Sequence, residues 1–248
     1  MSQRRISVLK IGGSVLTGRL AYRRVATFIG ERLCAHPGER LVAVVSAQNG
    51  TTDALLARAR DISADPDPAT VDLLWSTGET ESAALLALSL QAHGVRATAA
   101  NIHQTGLVEP DLEGSPGRSA LRPLRLLALL EEYDVVVAPG FLARGAGDRV
   151  VSLGRGGSDL TAVLLAAGLG ASRCELVKDV PGYFTADPKR DPDARPMQSV
   201  SYARAIEMAD DGCELVQRHA LIAARDRNVP VVIRSIGATE STLVGGHT

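Results

Sequence analysis

Lys10, Gly12, Gly13 and Ser14 end the first apolar run of the chain as Lys-Ile-Gly-Gly-Ser, which sets an ammonium beside two residues without a Cβ. Missing Cβ atoms let a phosphate approach the backbone amides closely, and the lysine offers it a counter-charge. The order is not that of a Walker A loop, whose lysine follows its glycines. A plain strand-to-helix turn with an incidental lysine is the alternative. A second glycine loop reads Gly154-Arg155-Gly156-Gly157-Ser158-Asp159 and stands directly before an apolar helical pattern. The first amides of a helix favour an anion, and Arg155 brings a planar fork for a carboxylate or phosphate. Ser158 or Asp159 is also suited to capping that helix. Capping does not account for an arginine between glycines, so a ligand loop is the favoured reading.

Three further segments carry polar groups at the ends of apolar runs. Ser46-Ala47-Gln48-Asn49-Gly50-Thr51-Thr52-Asp53 offers the hydroxyls of Ser46 and Thr52, with Thr52 or Asp53 as an N-cap in the alternative. Ser76-Thr77-Gly78-Glu79 precedes the helical run 82–90, which puts Glu79 in a first turn where the macrodipole favours an acid. The segment from Lys178 and Asp179 to Lys189 turns through Pro181-Gly182. Its Tyr183 and Phe184 suit the faces of an adenine and its lysines suit phosphates; a surface turn is the alternative. His36, His93, His103, His219 and His247 have no metal-ligand spacing, and Cys34, Cys174 and Cys213 form no CxxC pair. Neither a metal site nor a disulfide framework is expected, and no GxSxG is present.

The elements that must position these groups are legible from periodicity. Residues 6–11, 41–46, 135–138, 174–177 and 229–233 are short, mostly apolar runs. Between them, Val25, Phe28, Ile29 and Leu33 recur at helical steps, and 121–131, 160–169 and 215–226 read as helices. Continuous apolar strands alternating with helices predict an α/β protein with a mostly parallel sheet covered on both faces. Ligands of such sheets sit beyond the carboxyl ends of the strands, where the glycine loops fall. The stretch 63–68 (SADPDP) reads as an exposed loop between helices, and 145–148 as a hairpin turn between 135–137 and 150–153.

With 248 residues and 45% of them hydrophobic, the chain can bury a full core. Lys+Arg 27 against Asp+Glu 28 leaves a formal net charge of −1, so no global field recruits nucleic acid or an anionic membrane. No window approaches the roughly 20 apolar residues of a spanning helix, and the N-terminus lacks a signal-peptide core. A soluble cytoplasmic protein without nucleic-acid or membrane partners is expected.

Taken in order, these segments resemble the catalytic domain of aspartate kinase, within the amino-acid-kinase superfamily. The resemblance spans Lys10 to about Leu243 and is most specific in VVSAQNGTTD (44–53), STGE (76–79), LGRGGSDLTAVLLAA (153–167) and DVPGYFTADPK (179–189). KIGGS stands where that family usually reads KFGGT. The resemblance implies a three-layer αβα sandwich with an acceptor-binding lobe over about 1–150 and a nucleotide-binding lobe over about 151–248. It also implies transfer of the γ-phosphoryl of ATP, with Mg²⁺, to the side-chain carboxylate of aspartate, and a homodimer.

Lys10 and Asp159 would by this resemblance be catalytic. Ser46, Thr52, Glu79 and Arg155 would bind the acceptor, with Arg155 on its α-carboxylate and Glu79 near its ammonium. Lys10, Gly12, Gly13, Ser14, Ser158, Lys178, Asp179, Phe184 and Lys189 would bind the nucleotide. Two departures stand out. Lys178 precedes Asp179 where the family usually has threonine, and Glu214 stands where a lysine near the nucleotide is usual. Lys178 is therefore expected to replace the lost cation. Aspartate kinases generally continue into paired ACT domains, and a chain ending at Thr248 carries the expectation of a stand-alone kinase. Another amino or carboxylic acid as acceptor, and a catalytically silent nucleotide-binding protein, are the competing readings.

Overall fold

β-Branched and apolar runs that leave no polar face become strands buried on both sides. In the computed structural model, which describes residues 5–108, 120–121, 123–154, 156–188 and 191–245, these runs form the centre of one sheet. The strands in chain order are β1 (Ile6–Ile11), β2 (Arg40–Val45), β3 (Ala97–Ala99), β4 (Leu107–Val108), β5 (Ala120–Leu121), β6 (Val135–Pro139), β7 (Leu142–Arg144), β8 (Val150–Ser152), β9 (Cys174–Val177), β10 (Ser199–Val200), β11 (Val231–Arg234) and β12 (Ser241–Val244). The helices are α1 (Ala21–Ala35), α2 (Thr51–Ile62), α3 (Pro68–Ala92), α4 (Ile102–Thr105), α5 (Leu124–Glu132), α6 (Gly157–Gly168), α7 (Tyr202–Asp210) and α8 (Arg218–Asp226).

The main sheet has the order β10-β12-β11-β9-β1-β2-β6-β3, and the smaller one β5-β4-β7-β8. β1 is central and parallel to both β2 and β9; β11 and β12 are the antiparallel pair. Alternation along the strands sorts the core into two layers. Val8, Val42 and Val44 pack with α5 to α8, whereas Leu9, Ile11, Leu41, Ala43 and Val45 pack with α1 and α3. Each valine, leucine or isoleucine among them taken fully out of water contributes about 1.5–3 kcal/mol. The sandwich is the α/β, three-layer fold expected. Lys10 shares the parity of Val8, so its side chain emerges on the α6 face.

A buried ion network ties α1 to the sheet. Arg32 lies 2.9 Å from Glu39 and 2.7 Å from Glu175, Arg173 adds a contact at 3.1 Å to Glu175, and the Ser7 hydroxyl donates to Glu39. Burial works against the Glu39 carboxylate, but its hydrogen bonds with Arg32 and Ser7 outweigh that and hold it below its ordinary value.

Three expectations are corrected here. Ser76-Thr77-Gly78-Glu79 does not precede a helix; it lies inside α3, which begins at Pro68 with Asp67 accepting from the Thr70 amide at 2.8 Å. The breaker 63–68 thus holds the N-cap and N1 proline of that helix. The turn at 145–148 joins β7 to β8 in the small sheet, not β6 to a later strand. The caps of α2 and α6 are Gly50 and Gly156, both left-handed at φ 83° and 76°, so Thr52, Asp53, Ser158 and Asp159 do not cap.

Candidate functional site

β1 ends at Ile11 between β2 and β9, and the loops that leave these three strands converge with the N-terminus of α6. Lys10, in register with Val44 and Leu176, is buried there. Asp159 stands opposite in the first turn of α6, only 2% exposed. The Lys10 ammonium lies 2.9 Å from Oδ1 of Asp159, and Lys178, the residue after β9, donates to Oδ2 at 2.7 Å. One carboxylate therefore holds two ammonium groups that would otherwise repel each other. Burial alone would raise the Asp159 carboxyl, but Lys10 and then Lys178 overcome it and hold the group down at about 2. Burial lowers the Lys178 ammonium, against the attraction of Asp159. A net surplus of positive charge at a helix N-terminus is an anion site.

The glycines give this site its close approaches. A Cβ on Gly13 would stand 2.4 Å from the Ala47 carbonyl, so the loop after β1 passes against the loop after β2 only without a side chain. A Cβ on Gly12 would stand 3.7 Å from the Lys10 ammonium. The Gly12 amide donates to the Val177 carbonyl at 3.1 Å, so its use here is open space beside Lys10 rather than a donor for phosphate. Ser14 is exposed at the turn, and Ser158 is buried beside Asp159. Gly140, after β6, abuts Ser158: a Cβ there would lie 2.7 Å from that of Ser158.

Glu79 comes to the same place from α3. It is 3% exposed, and its Oε2 has no hydrogen-bond partner among the described residues. Burial pushes the carboxyl up to about 8, against the opposing pull of the Ala47 amide, the Lys10 charge and the Gly140 amide. A buried acid with an unused oxygen is costly unless a donor completes it; a ligand ammonium would. Gly78 brings it there, since a Cβ at that position would lie 2.9 Å from Thr51 and 3.3 Å from Ala47. Ser46 is half-buried at the end of β2, and its amide donates to the Ile11 carbonyl at 3.2 Å. Thr52 is half-buried in the first turn of α2. Arg155 and Lys189 lie outside the described residues.

After Lys178 the chain walls a cavity of about 770 Å³ between 179–188 and 208–215. Asp179, Phe184 and Glu214 line it, and Asp179 and Glu214 are exposed. Of the aromatic pair, Tyr183 is packed into the core at 1% exposure, which leaves the half-buried Phe184 as the ring for a ligand. Sequence reasoning gave Trp75 no part in the site and passed over Phe141, yet their rings meet edge to face at 5.7 Å between α3 and β7. The missed signal is spacing: Trp75 lies one helical turn before Glu79. Among the described residues, no group of three or more His, Cys, Asp and Glu side chains forms a metal cluster. No helix among them is long and apolar enough to cross a membrane.

The fold and this site define an α/β protein that gathers two lysines and its glycine loops at the carboxyl edge of a parallel sheet. The chain belongs to the amino acid kinase family, whose profile matches residues 5–235. It is 39% identical over 229 residues to an aspartokinase of Mycolicibacterium smegmatis, an alignment covering 92% of this chain and 54% of that protein. Among solved structures it resembles aspartate kinase from Synechocystis, with TM-score 0.86 and 35% identity over 98% of this chain and 40% of that one. It also resembles E. coli aspartokinase III in complex with aspartate and ADP, with TM-score 0.83 and 27% identity over 98% of this chain and 65% of that one. The chain thus spans about half the length of the curated relatives it matches.

Proposed function

We propose that this chain transfers the γ-phosphoryl group of ATP to the side-chain carboxylate of L-aspartate, giving ADP and 4-phospho-L-aspartate. The observation that carries the reading is the buried Lys10–Asp159–Lys178 cluster beside Glu79, whose Oε2 has no hydrogen-bond partner among the described residues. Aspartate kinase relatives, one of them solved with aspartate and ADP, support the choice of substrates.

In this reading a carboxylate oxygen of the acceptor attacks the γ-phosphorus as the bond to the β,γ-bridging oxygen breaks. The attacking group is already an anion, so no general base is needed; the protein positions reactants and neutralises charge. Lys10 and Lys178 face the phosphoryl oxygens, with Gly12, Gly13, Ser14 and Ser158 forming the wall around them. Asp159 is a positioning residue that fixes both ammonium groups. Glu79 takes the acceptor's ammonium, Arg155 its α-carboxylate, and Ser46 and Thr52 supply hydroxyls at the same edge. The cavity beside Asp179 and Phe184 takes the nucleoside, with Lys189 on its phosphates. Asp159 is engaged by two lysines, and among the described residues no group of three or more His, Cys, Asp and Glu side chains builds a cage for an ion. This fits Mg²⁺ arriving as part of Mg-ATP, held by phosphate and water oxygens. We further place the protein in the cytoplasm as a homodimer, an assembly that sedimentation tests.

Glu214 at the rim of that cavity is the one feature favouring a silent nucleotide-binding protein. The intact lysine pair on Asp159 favours catalysis. ADP release measured with aspartate, glutamate and N-acetylglutamate separates the readings. Turnover led by aspartate supports the kinase, whereas ATP binding without acceptor-dependent turnover contradicts it.

A further inference from the structure

α3 presents one stripe to the site. Asp72, Trp75, Glu79 and Ser82 recur at steps of three and four residues, so they share a face. Each grips a different segment. Asp72 accepts from the Ser152 amide of β8 at 3.1 Å, and Ser82 accepts from the Tyr22 hydroxyl at 3.2 Å, which in turn accepts from Gln48 at 3.1 Å. Trp75 donates its indole N–H to the Thr52 carbonyl at 3.1 Å and meets the Phe141 ring edge to face at 5.7 Å.

Phe141 is held in an unusual state. Its φ is 67°, a left-handed conformation that a bulky side chain adopts only where its surroundings impose it. It directly follows Gly140, whose amide bears on Glu79, and it abuts α6, where a Cβ on Gly157 would lie 3.1 Å from the Phe141 ring. Both residues are half-buried. The pair thus joins the first turn of α2, the Gly140 turn and the N-terminus of α6 to the face of α3 that carries Glu79.

We infer that the Trp75–Phe141 pair is the wall of the acceptor pocket one helical turn from Glu79, a positioning pair that sets which carboxylic acid fits between Glu79 and Lys10. This rests on the acceptor reading of Glu79 and Thr52 given above. A rigid aromatic wall discriminates acceptors of different length, a difference of one methylene being worth about 10- to 200-fold. Loosening it misplaces the acceptor without touching the nucleotide.

Trp75 is the sole tryptophan, so its emission reports on this wall alone. The test compares the wild-type protein with Trp75→Leu, which removes ring and donor, and Trp75→Phe, which keeps a ring and guards against a folding defect. In the wild type, the acceptor that turns over perturbs Trp75 emission and ADP alone does not. Trp75→Leu raises the KM for that acceptor about tenfold and narrows the preference for aspartate over glutamate, with the KM for ATP within twofold of wild type. Trp75→Phe falls between. An unchanged acceptor KM in a folded Trp75→Leu variant, or emission that ignores a productive acceptor, overturns the inference. If the wild type does not use aspartate, that reading fails first, and the same titration over a panel of amino and carboxylic acids still decides. A different responding acid keeps the wall, and silence throughout removes it.

Discussion

Lys178 donates to Asp159 at 2.7 Å, across the gap between the end of β9 and the first turn of α6, while the other oxygen of that carboxylate faces Lys10. A second cation thus stands beside Lys10 although position 214 carries a glutamate, which lies exposed at the rim of the neighbouring cavity.

Replacing Lys178 should therefore cost more than correcting Glu214. Lys178→Met is expected to lower kcat/KM for Mg-ATP about 10- to 100-fold through lost charge stabilisation. Glu214→Lys alone is expected to tighten ADP only modestly, by about 1 kcal/mol or less, as an exposed charge does. Steady-state kinetics and ADP titrations on both variants check this; an unaffected Lys178→Met would remove Lys178 from the site.

Glu79 gives a pH signature. Its carboxyl is pushed up to about 8 by burial, from 4.5 in the unfolded chain, so between those values the folded state binds the extra proton. Its contribution to stability is whole below pH 4.5 and is lost as pH rises toward 8. An acceptor ammonium reverses the preference, so binding near pH 7 should release a proton from Glu79. Calorimetry in buffers of different ionisation heat reads that proton. Glu79→Gln should abolish it, raise the acceptor KM, and leave the unliganded protein at least as stable at pH 8.

Gly13→Ala meets backbone rather than a yielding side chain, with 2.4 Å to the Ala47 carbonyl. Separating the two loops should cost about 1–3 kcal/mol of stability and displace Lys10 from its partners. Urea denaturation and kcat report the two effects; a fully active and stable variant would show that the loops have slack.

In the ion network that ties α1 to the sheet, Arg32→Met leaves Glu39 and Glu175 buried without their main partner. Breaking such a network from one side costs about 3–5 kcal/mol. Urea denaturation should show that loss, with KM values unchanged in the protein that remains folded.

The parallel centre of the fold was legible because strands buried on both faces are predominantly apolar, and 6–11, 135–138 and 174–177 reappear as β1, β6 and β9 within a residue. α3 was misread because Ser76-Thr77-Gly78 looks like a helix start, yet close packing of Gly78 on Thr51 and Ala47 is what requires that glycine mid-helix. The two-residue strands β4, β5 and β10 are too short to leave a period. At the site, the resemblance to aspartate kinases pointed to Lys10, Glu79 and Asp159, and the reversed charge at position 214 suggested Lys178 as a substitute cation. What spacing does not carry is which groups share an atom. That Asp159 bridges both lysines, and that Trp75 reaches Phe141 from a segment 66 residues away, are properties of the packed layers.

The central claim is tested most directly by trapping the acyl phosphate as its hydroxamate with Mg-ATP and L-aspartate, using Lys10→Ala as the blank. The account predicts a signal that needs both ATP and aspartate, exceeds that with glutamate or N-acetylglutamate, and disappears in Lys10→Ala. No hydroxamate from a folded protein that still binds ATP, or an equal signal from Lys10→Ala, would contradict it.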